Sequence, residues 1–296
     1  MNNRLFRGAA VALATPFRAG EIDFEAFERL IDRQIAAGTG ALVVCGTTGE
    51  PATISHEERE WLIECALRRA GGRVPVIVGV GGNDTRAVIA LTRQVKAAGA
   101  DAALAVTPFY NKTTQAGLIA HFTAVADAAD IPVILYNVPA RTGVNLLPET
   151  AAALAEHPNI CGVKEASGDV SQAAALVRLC GDKIALYAGN DDQALPLLSL
   201  GGQGVISVVA NICPSLVSGL CECFFAGDID SARAIQLRLL PLCKALFMEV
   251  NPIPLKAALA MLGLCGNELR LPLVPASEAC RKKLREALAE LEGDWA

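Results

Sequence analysis

The chain has 296 residues, of which 52% are hydrophobic and 19% charged, with a formal net charge of −5. This composition is sufficient for a large core and fits one α/β barrel of about 250 residues as well as two smaller domains. No run of basic residues is present, which argues against nucleic-acid binding. Ten cysteines are scattered without a C-x-x-C pair, which indicates reduced thiols in a cytoplasmic protein.

Two apolar stretches could be taken for targeting or membrane segments. The run Gly8–Ala14 resembles part of a signal peptide, but it is short and continues into a pattern typical of a strand. The stretch between Asp192 and Glu222 carries no charge, yet prolines and glycines interrupt it in a way that a membrane helix would not tolerate well. We therefore expect a cytoplasmic protein without a membrane partner.

Apolar segments of strand-like composition recur eight times along the chain. They are continuous rather than alternating, which is typical of strands buried on both faces of a parallel sheet. In chain order they are Gly8–Phe17, Ala41–Gly46, Val74–Gly81, Ala102–Pro108, Ile131–Pro139, Ile160–Ala166, Ile184–Asn190 and Gly204–Ala210.

Amphipathic segments fill the intervals between these runs and are predicted helices. Ser55 with Glu58 predicts a capping box, and Asp84 and Asp169 are candidate N-caps. The predicted helices are Phe24–Ala37, His56–Ala70, Thr85–Ala98, Gln115–Ala129, Pro148–His157, Val170–Cys180, Asp192–Leu200 and Pro214–Phe225.

Eight alternating strand and helix units predict an α/β protein with a (β/α)8 TIM barrel in residues 1–227. Residues 228–296 contain only helical patterns and are predicted to form a small C-terminal all-helical domain. Its predicted helices are Asp230–Val250, Pro254–Leu264 and Ala276–Leu291. The alternative fold is a doubly wound open sheet, but the glycine-rich segment 79–83 lacks the third glycine of a dinucleotide-binding loop.

Lys164 is the most unusual residue, because it lies inside the apolar segment Ile160–Ala166. Burial disfavours the charged form of an amine, and a neutral amine is a nucleophile that can form a Schiff base with a carbonyl compound. A lysine in this position can equally extend to solvent or pair with a carboxylate such as Glu165. The residue alone leaves both interpretations open.

The candidate active site is the set of polar residues at the predicted carboxyl ends of the strands, where TIM-barrel enzymes bind substrates. Threonine hydroxyls can bind a carboxylate, tyrosines can transfer protons and an arginine can hold a carboxylate through two hydrogen bonds. Each can also have only a structural role. With an amine nucleophile they predict a 2-oxo acid that is captured as a Schiff base and used as an enamine. The residues are Thr47, Thr48, Tyr110, Tyr136 and Arg141.

The three histidines, His56, His121 and His157, lie far apart on predicted helices. No H-E-x-x-H, phosphate-binding or G-x-S-x-G motif is present in the sequence. Neither a metal nor a cofactor is therefore expected.

Three motifs together resemble the dihydrodipicolinate synthase family of the N-acetylneuraminate lyase superfamily. They are Gly46-Thr47-Thr48-Gly49-Glu50, the segment Tyr136–Gly143 and the segment Gly162–Gly168. The resemblance runs from about Gly8 to the C-terminus and includes Asn251-Pro252-Ile253-Pro254-Leu255-Lys256. It implies a lyase that condenses pyruvate with L-aspartate 4-semialdehyde in lysine and diaminopimelate biosynthesis.

The resemblance also implies catalytic roles for four residues. Lys164 would form the Schiff base with pyruvate, and Tyr136 would transfer protons during its formation and during cyclisation. Thr47 would connect Tyr136 to Tyr110 in a proton relay. In the family that second tyrosine comes from the neighbouring subunit of a tight dimer, and two such dimers form a homotetramer.

Four further residues would bind substrate. Thr48 would hold the pyruvate carboxylate, Arg141 the carboxylate of the aldehyde, and the Gly189 and Ile206 backbones would line the pocket. Superfamily members that act on sialic acid or sugar acids usually lack an arginine in this position, so Arg141 favours the synthase.

One departure from the family concerns feedback inhibition by lysine. His56 and Asn83 are retained at positions that resemble the inhibitor site, but Ala87 and Phe109 replace a glutamate and a tyrosine. Loss of a carboxylate that pairs with the inhibitor's ammonium group should weaken binding. We expect weak or absent inhibition.

Two alternatives stay open at this point. One is another pyruvate-dependent aldolase of the superfamily, acting on a sugar acid or on hydroxybenzylidene-pyruvate. The other is a barrel without catalytic activity that binds an oxo acid as a sensor.

Overall fold

The computed structural model describes residues 5–291 and 293. The described residues form ten strands: β1 (Gly8–Ala12), β2 (Phe17–Arg18), β3 (Glu21–Ile22), β4 (Ala41–Val44), β5 (Val76–Gly79), β6 (Ala102–Val106), β7 (Val133–Asn137), β8 (Ile160–Glu165), β9 (Ala185–Ala188) and β10 (Gly204–Ser207).

The same residues form twelve α-helices, most of which lie between successive strands. They are α1 (Phe24–Ala36), α2 (His56–Ala70), α3 (Thr85–Ala97), α4 (Gln115–Asp127), α5 (Pro139–Thr142), α6 (Pro148–Leu154), α7 (Val170–Cys180), α8 (Ala194–Ser199), α9 (Pro214–Phe225), α10 (Ile229–Leu246), α11 (Ile253–Met261) and α12 (Glu278–Ala289).

Eight of the strands form a closed barrel in the order β1-β10-β9-β8-β7-β6-β5-β4. Strand pairs such as β7 with β8 and β1 with β4 are parallel. This confirms the predicted (β/α)8 barrel and excludes the open doubly wound sheet. The strands β2 and β3 form a separate antiparallel pair. Helices α10, α11 and α12 follow the last barrel strand, as the helical pattern of the C-terminal residues predicts.

The chain divides into two compact units, and the first comprises the described residues up to Arg7 together with Pro75–Ile206. Its strands carry fully buried apolar side chains, because a parallel strand between helices and the barrel interior has no solvent-facing side. Tyr187 is its largest fully buried side chain, and its hydroxyl donates to the carbonyl of Phe6 at 2.9 Å. The two rings stack with centroids 4.2 Å apart.

The second unit comprises Gly8–Val74 and the described residues from Ser207 onward. Strands β1 and β4 pair in it with Ala10 opposite Ala41. Helix α1 buries Phe27 and Leu30, and the C-terminal helices belong to this unit.

The predicted helix signals are present in the structure. The Ser55 hydroxyl accepts from the backbone of Glu58 while the Glu58 carboxylate accepts from the backbone of Ser55, which is the predicted capping box. Asp84 and Asp169 cap α3 and α7 through their carboxylates. Gly71 ends α2 in the left-handed conformation (φ 56°).

The first predicted strand, Gly8–Phe17, is wrong at its carboxyl end. The strand stops at Ala12, and Phe17 instead begins β2. Pro16 has no backbone N–H for a ladder hydrogen bond. The Thr15 hydroxyl donates to the carbonyl of Gly49 at 2.9 Å, so this segment is held by a side chain rather than by strand pairing.

Several predicted helices are shorter than expected, among them the seventh helix of the barrel and the first helix of the C-terminal residues. The segment Asp192–Leu200 begins with a 3-10 turn, and the α-helix starts at Ala194. Pro196 lies in its first turn, where a missing N–H costs nothing. Helix α10 ends at Leu246, before the predicted end at Val250.

All ten cysteines are free thiols. Burial raises the pKa of Cys45 to about 11 and that of Cys161 to about 12. A thiol that stays protonated is a poor nucleophile, so these two act as small apolar side chains. Within the described part of the chain, every helix is too short or too polar to cross a membrane.

Candidate active site

Lys164 and Tyr136 lie beside one another near the ends of adjacent strands. The register of β7 and β8 places them directly opposite, on the same face of the sheet. Both are buried, with 5% and 7% of their surfaces exposed, and the Lys164 Nζ lies 4.3 Å from the centroid of the Tyr136 ring. The geometry brings together the predicted nucleophile and the predicted proton carrier.

Glu165 is not the partner of Lys164. Successive strand residues point to opposite faces, so the Glu165 side chain lies on the other side of the sheet. Its carboxylate accepts from the Ser167 backbone N–H at 2.6 Å, from Asn137 Nδ2 at 3.0 Å and from Gln172 Nε2 at 3.3 Å. Among the described residues Lys164 has no carboxylate within ion-pair distance.

The fully buried Asn137, the last residue of β7, is hydrogen-bonded to the far end of the loop that follows this strand and so fixes both ends of the loop. Its Nδ2 donates to Asn145 Oδ1 at 2.8 Å, and its Oδ1 accepts from the Leu146 backbone N–H at 2.9 Å. Asn145 in turn donates to Gln172 Oε1 at 2.7 Å. We call Asn137, Asn145, Glu165 and Gln172 the amide cluster. No motif in the sequence predicts a role for its three amide residues.

Arg141 lies within the loop that the amide cluster holds. It belongs to the one-turn helix α5, and Gly143 ends that helix at φ 70°. The neighbouring Thr142 is buried and accepts from the Thr107 hydroxyl at 3.0 Å. Arg141 is itself exposed on a loop with fixed ends.

Gly189 and Ile206 lie at the carboxyl ends of β9 and β10, and both are buried. The Gly189 N–H donates to the carbonyl of Glu165 at 2.7 Å. A Cβ at Gly189 would lie 2.7 Å from the Cβ of Ala166 and 3.0 Å from that carbonyl oxygen. Only glycine allows this close approach of the two strands.

The turn after β4 carries the two predicted threonines. It is a 3-10 turn, Thr47–Gly49, followed by Glu50 in the left-handed conformation (φ 54°). Thr48 is 2% exposed, and its Oγ1 accepts from Asn251 Nδ2 at 2.9 Å. In the sequence, Asn251 stands out only as part of the segment that carries the family resemblance.

Glu50 forms an ion pair with Lys256 in which both side chains are almost completely buried. Glu50 Oε1 lies 2.5 Å from Lys256 Nζ. The same ammonium group donates to the carbonyl of Glu268 at 2.8 Å and lies 3.9 Å from the Phe17 ring. Burial lowers the pKa of Lys256, and the charge of Glu50 opposes this effect. The sequence signal that could have indicated this ion pair is the position of Lys256 as a single cation in the apolar helix after Pro252.

Tyr110 is a predicted site residue whose side chain faces solvent. It follows β6 with φ 69°, and 90% of its surface is exposed. Within the described residues, no hydrogen bond or ring contact joins it to Lys164 or Tyr136.

Comparison with known proteins gives one consistent family. Residues 5–291 match the model of the Dihydrodipicolinate synthetase family. A 4-hydroxy-tetrahydrodipicolinate synthase of Pelobacter propionicus is 50% identical over 280 residues, which cover 95% of this chain and 97% of that protein.

Solved structures agree with this result. The dihydrodipicolinate synthase of Thermotoga maritima is similar with a TM-score of 0.96 and 46% identity, over 97% of this chain and 99% of that one. A monomeric dihydrodipicolinate synthase variant is similar with a TM-score of 0.95 and 46% identity, over 97% of each chain.

Proposed function

The chain belongs to the dihydrodipicolinate synthetase family, and from this premise we propose that it is a lyase that condenses pyruvate with L-aspartate 4-semialdehyde to 4-hydroxy-tetrahydrodipicolinate. The observation that carries the proposal is the buried Lys164 amine, which faces the ring of Tyr136 at 4.3 Å and has no carboxylate partner among the described residues. This reaction belongs to lysine and diaminopimelate biosynthesis.

The reaction begins with attack of the Lys164 amine on the carbonyl carbon of pyruvate. Loss of water gives the Schiff base, whose positive nitrogen draws electrons from the methyl group. Removal of a methyl proton gives an enamine, and its carbon attacks the aldehyde carbon of the second substrate. The amino group of that substrate then attacks the imine carbon, which closes the ring and releases Lys164. Tyr136 transfers the protons of these steps.

The two substrate carboxylates have separate binding residues. Thr48 holds the carboxylate of pyruvate, and Arg141 holds that of the aldehyde through its guanidinium group. The backbones of Gly189 and Ile206 line the pocket. The fixed ends of the loop around Arg141 support this assignment, because a substrate clamp must be held in place.

We propose a homotetramer built from two tight dimers. Thr47 would then connect Tyr136 to Tyr110 of a neighbouring subunit. The 90% exposure of Tyr110 supports this assignment, since a phenol that works in another subunit's site must point away from its own chain. Light scattering should give the mass of four chains, and the mass of a single chain, as expected for a monomer like the similar variant, would contradict the proposal.

Two further assignments are proposals of the same kind. Residues 1–227 would be the catalytic barrel and residues 228–296 a helical domain. The protein would work in the cytoplasm, where free cysteines stay reduced.

The alternative substrates of the superfamily are not favoured. Arg141 supplies a cation for the carboxylate of the aldehyde, and the curated relatives, about half identical to this chain, carry the name of the synthase. A sensor without activity would not need a nucleophile.

The test combines a coupled activity assay with borohydride trapping. Pyruvate and borohydride should add the mass of reduced pyruvate at Lys164, and Lys164→Ala should abolish both the adduct and turnover. The matched control is Lys183→Ala, which removes an exposed lysine and should change neither. Trapping without turnover of aspartate semialdehyde, but with cleavage of a sugar acid, would replace the synthase by an aldolase. Absence of trapping in the wild type would contradict Schiff-base chemistry altogether.

A further inference from the structure

We propose that Asn251 is a positioning residue for the 2-oxo acid: its side-chain amide binds Thr48 Oγ1 and thereby directs the Thr48 hydroxyl proton towards the substrate carboxylate. This inference rests on the proposed function, in which Thr48 binds pyruvate.

The hydrogen-bonding capacity of the Thr48 hydroxyl is limited, because a threonine hydroxyl has one proton to donate and two lone pairs. Asn251 Nδ2 donates into one lone pair of Thr48 Oγ1 at 2.9 Å, so the hydroxyl proton cannot point at Asn251. No other hydrogen bond of Thr48 Oγ1 occurs among the described residues. The proton is therefore available to an anion, and its direction is restricted before substrate binds.

The turn that carries Thr48 is fixed by the same C-terminal segment. Glu50 ends the turn in the left-handed conformation, and its carboxylate pairs with the buried Lys256 at 2.5 Å. The backbone N–H of Arg270 also reaches Glu50 Oε2, at 3.4 Å. A residue with positive φ persists only where its surroundings hold it.

Asn251 and Lys256 flank the first turn of helix α11 and act on neighbouring residues of one turn. Asn251 fixes the direction of the Thr48 hydroxyl, and Lys256 fixes the backbone conformation around Glu50 through its ion pair with that side chain. The C-terminal helices therefore contribute to substrate binding without contacting substrate. This gives a physical reason for the segment Asn251–Lys256, which the mechanism does not otherwise use.

The experiment is a double-mutant cycle between Asn251 and Thr48, read as kcat/KM for pyruvate. Asn251→Ala leaves the Thr48 hydroxyl without a fixed direction and should lower this value about tenfold. Asn251→Asp keeps the shape but accepts the hydroxyl proton and places a negative charge beside the carboxylate, so we expect a loss of about a hundredfold. Thr48→Val removes the hydroxyl, and the double variant Thr48→Val with Asn251→Ala should be no worse than Thr48→Val alone.

Controls separate positioning from general damage to the fold. KM for the aldehyde should stay within about twofold in the Asn251 variants, because Arg141 binds that substrate. Gln34→Ala removes another buried amide, which donates to the carbonyl of Ala210 at 2.7 Å. Its effect on kcat/KM for pyruvate should be independent of Thr48→Val, so the losses of the two variants should multiply in the double variant. Thermal unfolding of every variant identifies those that fold. If Asn251→Ala does not fold, Asn251→Asp takes its place as the test variant.

Three results would overturn the inference. One is independent, multiplicative losses from Asn251→Ala and Thr48→Val. Another is an Asn251→Asp enzyme with unchanged kcat/KM for pyruvate. The last is an equal rise in KM for both substrates. Failure of the proposed function is distinguishable, because the wild type would then show no pyruvate adduct at Lys164 or no turnover of aspartate semialdehyde.

Discussion

Removal of the Glu165 carboxylate should destabilise the protein more than any surface change of the same kind. Glu165 is a buried carboxylate whose partners are neutral donors rather than a cation. It accepts from Ser167 N at 2.6 Å, from Asn137 Nδ2 at 3.0 Å and from Gln172 Nε2 at 3.3 Å. The substitution Glu165→Ala leaves these three donors without that acceptor.

The magnitude follows from the three lost hydrogen bonds. A hydrogen bond to a charged group contributes about 1.5–3 kcal/mol, and a buried donor left without a partner costs a similar amount. Asn137 and Gln172 retain their bonds to Asn145 Oδ1, so only the Ser167 N–H loses its whole partner set. Three such bonds sum to about 4.5–9 kcal/mol, and we expect a loss of about 5 kcal/mol in the free energy of unfolding, near the lower end of that range.

Glu165→Gln should cost less, because it keeps one oxygen. Its new amide N–H2 would still face the donating groups of Asn137 and Gln172, which leaves one unsatisfied contact and a loss of about 1–3 kcal/mol. The assay is thermal unfolding at fixed protein concentration, where each kcal/mol lowers Tm by about 2–4 °C. Glu156→Ala is the control, since Glu156 is 66% exposed and should change stability by less than about 0.5 kcal/mol. If Glu165→Ala matched Glu156→Ala, the reasoning about the amide cluster would be refuted.

Three further predictions concern separate parts of the chain. Burial lowers the pKa of His121 below its ordinary value of 6.5. Below about pH 6.5 the unfolded state therefore binds a proton that the folded state does not bind, and stability should fall as the pH drops. The Tm of His121→Leu, measured between pH 8 and pH 5, should lack this dependence. Lysine should inhibit weakly, and Ala87→Glu should strengthen the inhibition; half-maximal inhibition of the wild type at submillimolar lysine would contradict the reasoning. Gly189→Ala should lower stability by about 1–3 kcal/mol, because the added Cβ meets Ala166 at 2.7 Å, and an unchanged Tm would show that β8 and β9 separate freely.

The fold was predictable because its signals are local and repeated. Continuous apolar runs, capping residues and glycines after helices each act within a few residues, and their eightfold alternation allows few architectures. Strand ends were less predictable. The apolar pattern continues from Ala12 to Phe17, yet backbone pairing ends after Leu13, because the Ala14 N–H donates to Asn211 Oδ1 and Pro16 lacks an N–H.

The candidate site was predictable only in its directly reactive parts. Lys164 and Tyr136 belong to short motifs, and their strand positions place them side by side. The residues that hold the site are different, because Asn251 contacts a threonine 203 positions away in the chain. No local pattern indicates such a contact, since an asparagine before proline is equally suited to an ordinary turn.

Two buried lysines show why burial alone does not identify a reactive amine. In sequence, Lys164 and Lys256 look alike, each a single cation in an apolar segment. Lys256 has a carboxylate at 2.5 Å, a carbonyl at 2.8 Å and a ring at 3.9 Å, and each of these three contacts favours the ammonium form against the effect of burial. Breaking such a buried pair costs about 3–5 kcal/mol before the amine could attack a carbonyl. Lys164 faces only a phenol ring and, among the described residues, no carboxylate within ion-pair distance. Its amine can therefore approach a substrate carbon without first losing a counterion. The charged partners of each lysine, rather than its burial, distinguish the proposed nucleophile from the structural lysine.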